Sequence, residues 1–370
     1  MKALVWTSVP NHYQAALFAA LRSAGVDLQV CYYERVSKER LALGWDDTRE
    51  LPPGEHYVED SLQALESVPD WRERIHMVPG YRLRFLRKLV RTLARAGTPW
   101  VHWSEPSHLG LKWYLSWPLK RWYARMLNHH ALGAFGIGKK ALEDFARWGI
   151  DPQRMAYLFY ASPPCDLEAE PDDECTRFCD GRPAFVFLGR LCRRKGTDVL
   201  LRAFARATKP SKEWRLLLVG PDDSGGSYGQ LAEHMGTSEQ VLFRGAVSPD
   251  ALGSVLRTAK VLVLPSRFDG WGVVLNEAAS AGLALIASDM AGASHHLIHP
   301  GENGFRVKAG DVSSLVAAMG AYVSSPDLAA THGERSLKVF EDFTPERNAQ
   351  RFISAIRSWQ AMDSGICRRS

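Results

Sequence analysis

The stretch VLVLPSRFDGWGVVLNEAASAGLALIASDMAG, residues 261–292, decides how the chain folds. Val261 to Leu264 is an apolar run of the length of one buried strand. Pro265 to Gly270 breaks it as a loop that ends in Gly270-Trp271-Gly272. Val273, Val274, Leu275, Ala278 and Ala279 then recur at helical spacing. Gly282 stops that helix, and Leu283 to Ile286 reads as the next strand. The order is strand, glycine-containing loop, helix, strand.

This order has chemical consequences. The first amides of a helix lack partners inside it, and with the helix dipole they form a site suited to phosphate. Two carboxylates bracket the turn, Asp269 at the loop mouth and Glu277 inside the helix. A phosphate would repel them, so they fit better as acceptors of hydrogen bonds from sugar hydroxyls. The plain alternative is an ordinary strand–turn–helix with a solvated Asp and a surface Glu.

Residues Pro265-Ser266-Arg267-Phe268-Asp269-Gly270-Trp271-Gly272, followed by Glu277-Ala278, resemble the Glu-(seven residues)-Glu signature of retaining glycosyltransferases of family four. In this chain Asp269 stands where the first Glu of the signature would be. The resemblance implies an α/β GT-B fold, two Rossmann-like doubly wound domains facing across a cleft. It implies that Asp269 holds the transferred sugar and Glu277 the ribose. Gly270, Trp271, Gly272, Val273 and Val274 would offer their backbone to the phosphates. An Asp is one methylene shorter than Glu, which bears on sugar choice or turnover.

A second segment agrees with the first. Ala184 to Leu188 reads as a strand, followed by Gly189-Arg190, Lys195-Gly196 and a helix from Thr197 to Ala207. It is similar to the family's Gly-Arg-x-x-x-x-Lys-Gly segment, which implies that Arg190 and Lys195 grip the nucleotide diphosphate. Arginine can bind phosphate oxygens in pairs, while lysine acts as a mobile point charge. Both would neutralise the departing diphosphate without a metal. A solvated basic turn is the other reading. The resemblance also puts the nucleotide base near Val247, held by backbone. No metal and no cofactor are expected: His295-His296 invite a metal reading, but no third ligand has suitable spacing.

The whole chain sets the bounds. Its 370 residues suggest two domains, and 46% hydrophobic and 24% charged residues are typical of globular proteins. No apolar run approaches the roughly 20 residues that a membrane-spanning helix needs, and the opening MKALVWTSVP reads as a first strand. Cytoplasmic location is the default, or the inner face of the cell membrane. The six cysteines include no Cys-x-x-Cys pair, so reduced thiols are expected. The linker ASPPCDLEAEPDDECTRFCDGR marks the domain boundary. The expected domains are 1–165, acceptor-binding; 166–344, nucleotide-sugar-binding; and 345–370, a helix crossing back to the first.

The first half starts as strand, helix, strand, which argues for a parallel sheet with its ligands beyond the strands' carboxyl ends. Asn11 and His12, in the first such loop, are candidate polar contacts. Trp100 to Trp103 reads as a strand end, and Ser104-Glu105-Pro106-Ser107-His108 follows. The family often has a histidine near the transferred sugar in such a loop, which makes His102 and His108 catalytic candidates beside Glu105. Between Trp71 and Arg125 twelve Lys and Arg face Glu73 and Glu105 and stand among six tryptophans. A basic amphipathic helix beside aromatics suits peripheral association with an anionic membrane. A solvated helix packing on its own sheet is the competing reading. No motif supports nucleic acid.

The expected activity is therefore the movement of a sugar from a nucleoside-diphosphate sugar to an acceptor hydroxyl, with retention. The expected partners are that donor and a glycan or lipid-linked acceptor of cell-envelope polysaccharide or lipopolysaccharide. A nucleotide-sugar epimerase of the same architecture and a non-catalytic membrane-surface binding protein are the alternatives.

Overall fold

The computed structural model describes residues 1–35, 50–59, 62–107, 115–166, 168 and 170–367. They form two compact units, Met1–Ala161 with Pro345–Ser370, and Ser162–Thr344. The linker segment before residue 166 thus belongs to the second unit, not the first. The reason is local: the Cys165 amide donates to Ser280 Oγ at 3.0 Å, and its thiol to the Glu277 carbonyl at 3.4 Å.

The first unit contains β1 (Lys2–Thr7), α1 (His12–Ser23), β2 (Asp27–Tyr32), β3 (Glu55–Tyr57), β4 (Ile75–Val78), α2 (Arg84–Ala96), β5 (Trp100–Ser104), α3 (Trp117–His130), β6 (Gly133–Gly136), α4 (Lys139–Trp148) and β7 (Met155–Tyr157). The second contains α5 (Asp173–Cys179), β8 (Ala184–Leu188), α6 (Thr197–Ala207), β9 (Arg215–Val219), α7 (Ser227–His234), β10 (Val241–Gly245), α8 (Leu252–Leu256), β11 (Val261–Leu264), α9 (Val274–Ser280), β12 (Ala284–Ser288), α10 (Ser294–Leu297), β13 (Gly304–Val307), α11 (Val312–Ser324) and α12 (Asp327–Phe340). The last helix, α13 (Pro345–Cys367), returns to the first unit.

Each unit is a sheet of parallel strands, ordered β3-β2-β1-β4-β5-β6-β7 and β10-β9-β8-β11-β12-β13. Strands β8, β9, β11 and β12 are buried along their whole length. Helices cover both faces of such a sheet, so its strands read as unbroken apolar runs. In each order the direction of winding reverses between the first strand and the fourth, at β1/β4 and at β8/β11. A ligand crevice opens beyond the strand ends at that reversal.

Helix α2 follows its sequence pattern. Phe85, Leu86, Leu89, Val90 and Leu93 are buried, while Arg84, Lys88, Arg91 and Arg95 are exposed. Gly97, at φ 64°, closes the helix in the left-handed conformation that glycine adopts without cost. Ser248 makes no side-chain capping hydrogen bond, and a 3-10 turn at Pro249–Ala251 precedes the short α8.

Helix α13 is part of the first unit's core. Phe352 and Trp359 pack on Phe135 of β6, with ring centroids 5.4 and 4.9 Å apart. Trp359 also fills the space beside Gly133, where any side chain would collide with its ring. Asn348 Oδ1 accepts the Phe159 amide at 3.1 Å, and Asp363 pairs with Arg154 at 2.7 Å. Trp359→Ala is expected to cost about 3–5 kcal/mol, as large cavities in a core do. Urea unfolding of the full chain, followed by tryptophan fluorescence and circular dichroism, checks the value.

Candidate active site

The second unit's reversal point lies between β8 and β11, and the two loops singled out in the sequence start there. The loop after β8 runs through Gly189, Arg190 and a 3-10 turn at Arg193–Lys195 before α6. The loop after β11 runs from Pro265 to Val273 before α9. They are joined tightly. Gly196, at φ 79°, lies against the Pro265 carbonyl, so close that a Cβ would overlap it. The Arg267 amide donates to the Arg194 carbonyl at 2.8 Å. The Arg267 guanidinium pairs with both oxygens of Asp198, at 2.7 and 2.8 Å.

The charged residues of the two loops also meet. Lys195 Nζ lies 2.5 Å from Asp269 Oδ2, and both side chains are mostly buried. The sequence assigned this lysine to phosphate and this aspartate to sugar as separate contacts. The structure makes them one ion pair. A lysine ammonium has three donors, so two remain for a ligand. Arg190 is likewise paired, through Nη1, with both oxygens of Asp223 at 3.0 and 3.1 Å. Its Nε and Nη2 edge carries no bond to the protein among the described residues. Asp223 follows β9, in the loop Pro221-Asp222-Asp223, and sequence reasoning passed over it. A carboxylate in a glycine-rich turn beyond the next strand was the available signal.

The mouth of α9 supplies backbone donors. The amides of Leu275, Asn276 and Glu277 bond back to the carbonyls of Gly272 and Val273. Those of Gly272, Val273 and Val274 have no backbone acceptor among the described bonds. Gly270 is pinned by Gly292, whose α-carbon packs against the Gly270 carbonyl with no room for a side chain. The indole of Trp271 is buried and donates to Asn276 Oδ1 at 2.9 Å, so this residue can meet a ligand only through its backbone. Val247 lies half-buried in the loop after β10. That loop is coupled to the one after β9 by the Gly220 amide, which donates to the Gly245 carbonyl at 2.8 Å.

Glu277 is 6% exposed, and burial pushes its carboxyl up to about 7. It is therefore divided between donor and acceptor forms near neutral pH, where a solvated glutamate would be an acceptor only.

The first unit brings fewer of its candidates to a site. His102 is fully buried in β5, and burial lowers it to about 3, so the ring stays neutral. Its Nε2 is 2.8 Å from Ser104 Oγ and its Nδ1 3.2 Å from the Tyr123 hydroxyl. Phe145 and Trp148 pack on the ring. This is a core histidine, and the expectation that it faces a sugar is corrected: a strand covered on both faces offers no open side. His108 lies outside the described residues. Glu105 is exposed and bonds to the Tyr160 hydroxyl. Asn11 is a helix cap, its Oδ1 accepting the Gln14 amide at 2.8 Å. Among the described residues no group of three His, Cys, Asp or Glu is placed to hold a metal. His295 is engaged by the Asp289 carbonyl at 2.9 Å and by Arg306 at 3.0 Å.

Two parallel Rossmann-like sheets, the second with cationic and glycine-rich loops at its reversal point, define a GT-B architecture. Solved structures of that architecture align with nearly the whole chain. The Anabaena protein Alr3699/HepE in complex with UDP covers 97% of this chain and all of its own, with a TM-score of 0.75 and 15% identity. The lipopolysaccharide outer core galactosyltransferase WaaB covers 97% and 99%, with a TM-score of 0.73 and 17% identity. At such identities the likeness speaks for the fold alone. Residues 170–339, within the second unit, match the family model of the glycosyl transferases group 1. Similar in sequence are the lipopolysaccharide core biosynthesis mannosyltransferase LpcC of Rhizobium leguminosarum, at 31% identity over 250 residues, and a D-inositol 3-phosphate glycosyltransferase of Nocardia farcinica, at 30% over 182. The first alignment covers 64% of each protein. The second covers 47% of this chain and 40% of the relative, so the match spans between two fifths and two thirds of these relatives.

The buried Glu277 makes stability depend on pH. Its folded-state value lies above the ordinary 4.5, so the native state holds the proton more tightly than the unfolded chain does. The contribution is full below pH 4.5 and is lost as pH rises toward 7, on the order of 3 kcal/mol in all. Glu277→Gln has no proton to lose. It is expected to melt above wild type at about pH 8 and to show no such advantage in acid. Thermal melts of both proteins across this range check the sign.

Proposed function

We propose that this chain is a glycosyltransferase. It moves a sugar from a nucleoside-diphosphate sugar to an acceptor hydroxyl, with retention at the anomeric carbon and without a metal. The observation that carries the reading is the meeting of the two loops at the β8/β11 reversal. There Arg190, Lys195 and the amides of Gly272 to Val274 follow the carboxyl ends of two neighbouring central strands. This grouping matches the charge distribution of a diphosphate. The free edge of Arg190 can take two oxygens, Lys195 a third, and the amides the remainder.

The chemistry follows from charge. Breaking the bond between sugar and diphosphate leaves negative charge on the departing oxygen. Donors fixed in advance stabilise that charge more than they stabilise the ground state. Asp269 orients the Lys195 ammonium and Asp223 orients Arg190, so neither cation must be immobilised during the reaction. Glu277, poised between its two protonation forms, suits a pair of ribose hydroxyls. Asp269 Oδ1 carries no described bond and is the oxygen open to a sugar hydroxyl. No protein nucleophile is assigned, and His102 takes no part. On the acceptor side Glu105 keeps its candidacy.

The acceptor is proposed to be a glycan or lipid-linked glycan of the cell envelope, as in the lipopolysaccharide relatives. The first unit's surface supports a lipid-associated acceptor. Arg84, Lys88, Arg91 and Arg95 on α2 and Arg121 and Arg125 on α3 are exposed. The Arg91 guanidinium sits 4.8 Å above the Trp122 ring and links the two helices into one basic face. Leu115 and Trp117, at 74% and 36% exposure, add apolar groups nearby. No helix of the described residues is long and apolar enough to cross a membrane. Association would thus be peripheral, through attraction to an anionic lipid surface.

Two measurements test the reading. Calorimetry with UDP, GDP, ADP, dTDP and CMP is expected to show one tight nucleotide, weakened at least tenfold in Arg190→Ala/Lys195→Ala. Folded wild-type protein that binds none of them overturns the assignment. For the surface, Lys88→Glu/Arg91→Glu/Arg95→Glu is expected to lower sedimentation with anionic vesicles at least tenfold while leaving nucleotide affinity unchanged. Each cation near such a surface is worth about 1 kcal/mol. Equal sedimentation of variant and wild type overturns the membrane part alone.

A further inference from the structure

The second unit carries another concentration of positive charge, at the opposite end of its sheet. Arg206 and Lys209 stand at the end of α6, Lys212 and Arg215 lead into β9, and Glu239 and Gln240 lead into β10. Together they line an open groove of about 400 Å³ with its continuation along α6. Arg190 and Lys195 follow the strands' carboxyl ends, whereas these residues precede the amino ends. At roughly 3.3 Å per residue, a strand of this length separates the two regions by about 16 Å.

Arg215 distinguishes the groove from an ordinary basic surface. It is 9% exposed, yet no carboxylate lies within ion-pair distance among the described residues. Its Nη1 donates to the carbonyls of Lys212 and Trp214, at 2.9 and 3.5 Å, and the guanidinium lies 5.9 Å above the Phe178 ring, while its Nε and Nη2 edge makes no hydrogen bond among the described residues. Burial and the neighbouring Arg182 both oppose its charge, against smaller contributions of the other sign from Cys179, Glu213 and Asp180. Arg74, more deeply buried in the first unit, shows the usual solution, with Asp27 and Asp70 at 3.0 and 2.8 Å. The Arg215 charge thus has no carboxylate against it, and its unbonded edge is not sealed inside the protein. Arg206, Lys209 and Lys212, all exposed, make no ion pair among the described residues either. Glu239 is the one carboxylate in the lining.

We infer that this groove is an anion site for a phosphate group, remote from the nucleotide loops. Arg215 presents the Nε and Nη2 edge that fits two phosphate oxygens, and the three flexible cations close around the remaining charge. The phosphate can arrive on a small soluble molecule or on a lipid headgroup, and the chemistry of recognition is the same. The inference does not depend on the proposed transfer reaction, because the groove shares no residue with the nucleotide loops.

The test uses the full chain carrying Arg190→Ala/Lys195→Ala and Lys88→Glu/Arg91→Glu/Arg95→Glu, which removes the cations at the nucleotide loops and on the α2 face. Calorimetry with inorganic phosphate and sedimentation with phosphatidic acid vesicles are the two probes. At least one is expected to bind, and the affinity is expected to fall tenfold or more when Lys209→Ala/Lys212→Ala is added. These exposed positions tolerate alanine, so the outcome does not hinge on Arg215→Met folding. Loss of phosphate binding identifies a soluble ligand, and loss of vesicle binding alone identifies a headgroup. Binding of neither probe by folded protein, or binding that Lys209→Ala/Lys212→Ala leaves unchanged, overturns the site.

Discussion

The second unit depends on how closely the loop after β8 approaches the loop after β11. Parallel strands lie about 4.8 Å apart, and their loops diverge unless something holds them together. Here Gly196 removes the side chain that would keep the Pro265 carbonyl away. The Arg267–Asp198 pair and the Lys195–Asp269 pair then fasten the two loops with charge-assisted bonds. The second pair sits where a ligand is proposed to bind, so the same bond that closes the fold also sets the orientation of a functional cation. A fold built this way keeps its cations aimed before any anion arrives.

That arrangement also answers the question of why carboxylates surround an anion site. Asp223, Asp269 and Glu277 would each repel a phosphate if they were free. Two of them are matched by cations, and burial holds the third near the middle of its titration. The negative charge facing a ligand is thus far smaller than three carboxylates suggest, while their capacity to accept hydrogen bonds from hydroxyls is kept.

Much of this was legible in the sequence because parallel sheets write their strands as uninterrupted apolar runs. Val261 to Leu264 and Ala184 to Leu188 are such runs, and the glycines after them mark the loops. The ion pairs were not legible. Lys195 and Asp269 are 74 positions apart, and Arg190 and Asp223 are 33 apart, so no local pattern records their contact. His102 misled for a related reason. Its neighbours Ser104 and Glu105 do stand at a strand end, but His102 is the third residue of β5, and Tyr123, Phe145 and Trp148 close over it from other helices. Basic residues were over-read in the same way: Lys120, counted from sequence with the exposed cations, is buried, its ammonium 2.9 Å from Ser107 Oγ and 5.2 Å from the Trp148 ring.

The return of α13 to the first unit gives the order of synthesis a role. The first unit is interrupted by some 180 residues, and Phe135 meets Phe352 and Trp359 only after all of them have been made. At 5–20 residues per second the ribosome takes roughly ten to forty seconds to cover that distance. During this time the second unit, continuous in sequence, can complete its own core, while β6 waits with an aromatic surface uncovered. The nascent chain is therefore most exposed to aggregation in its first half, and a chain cut short before residue 345 would carry that exposed surface permanently.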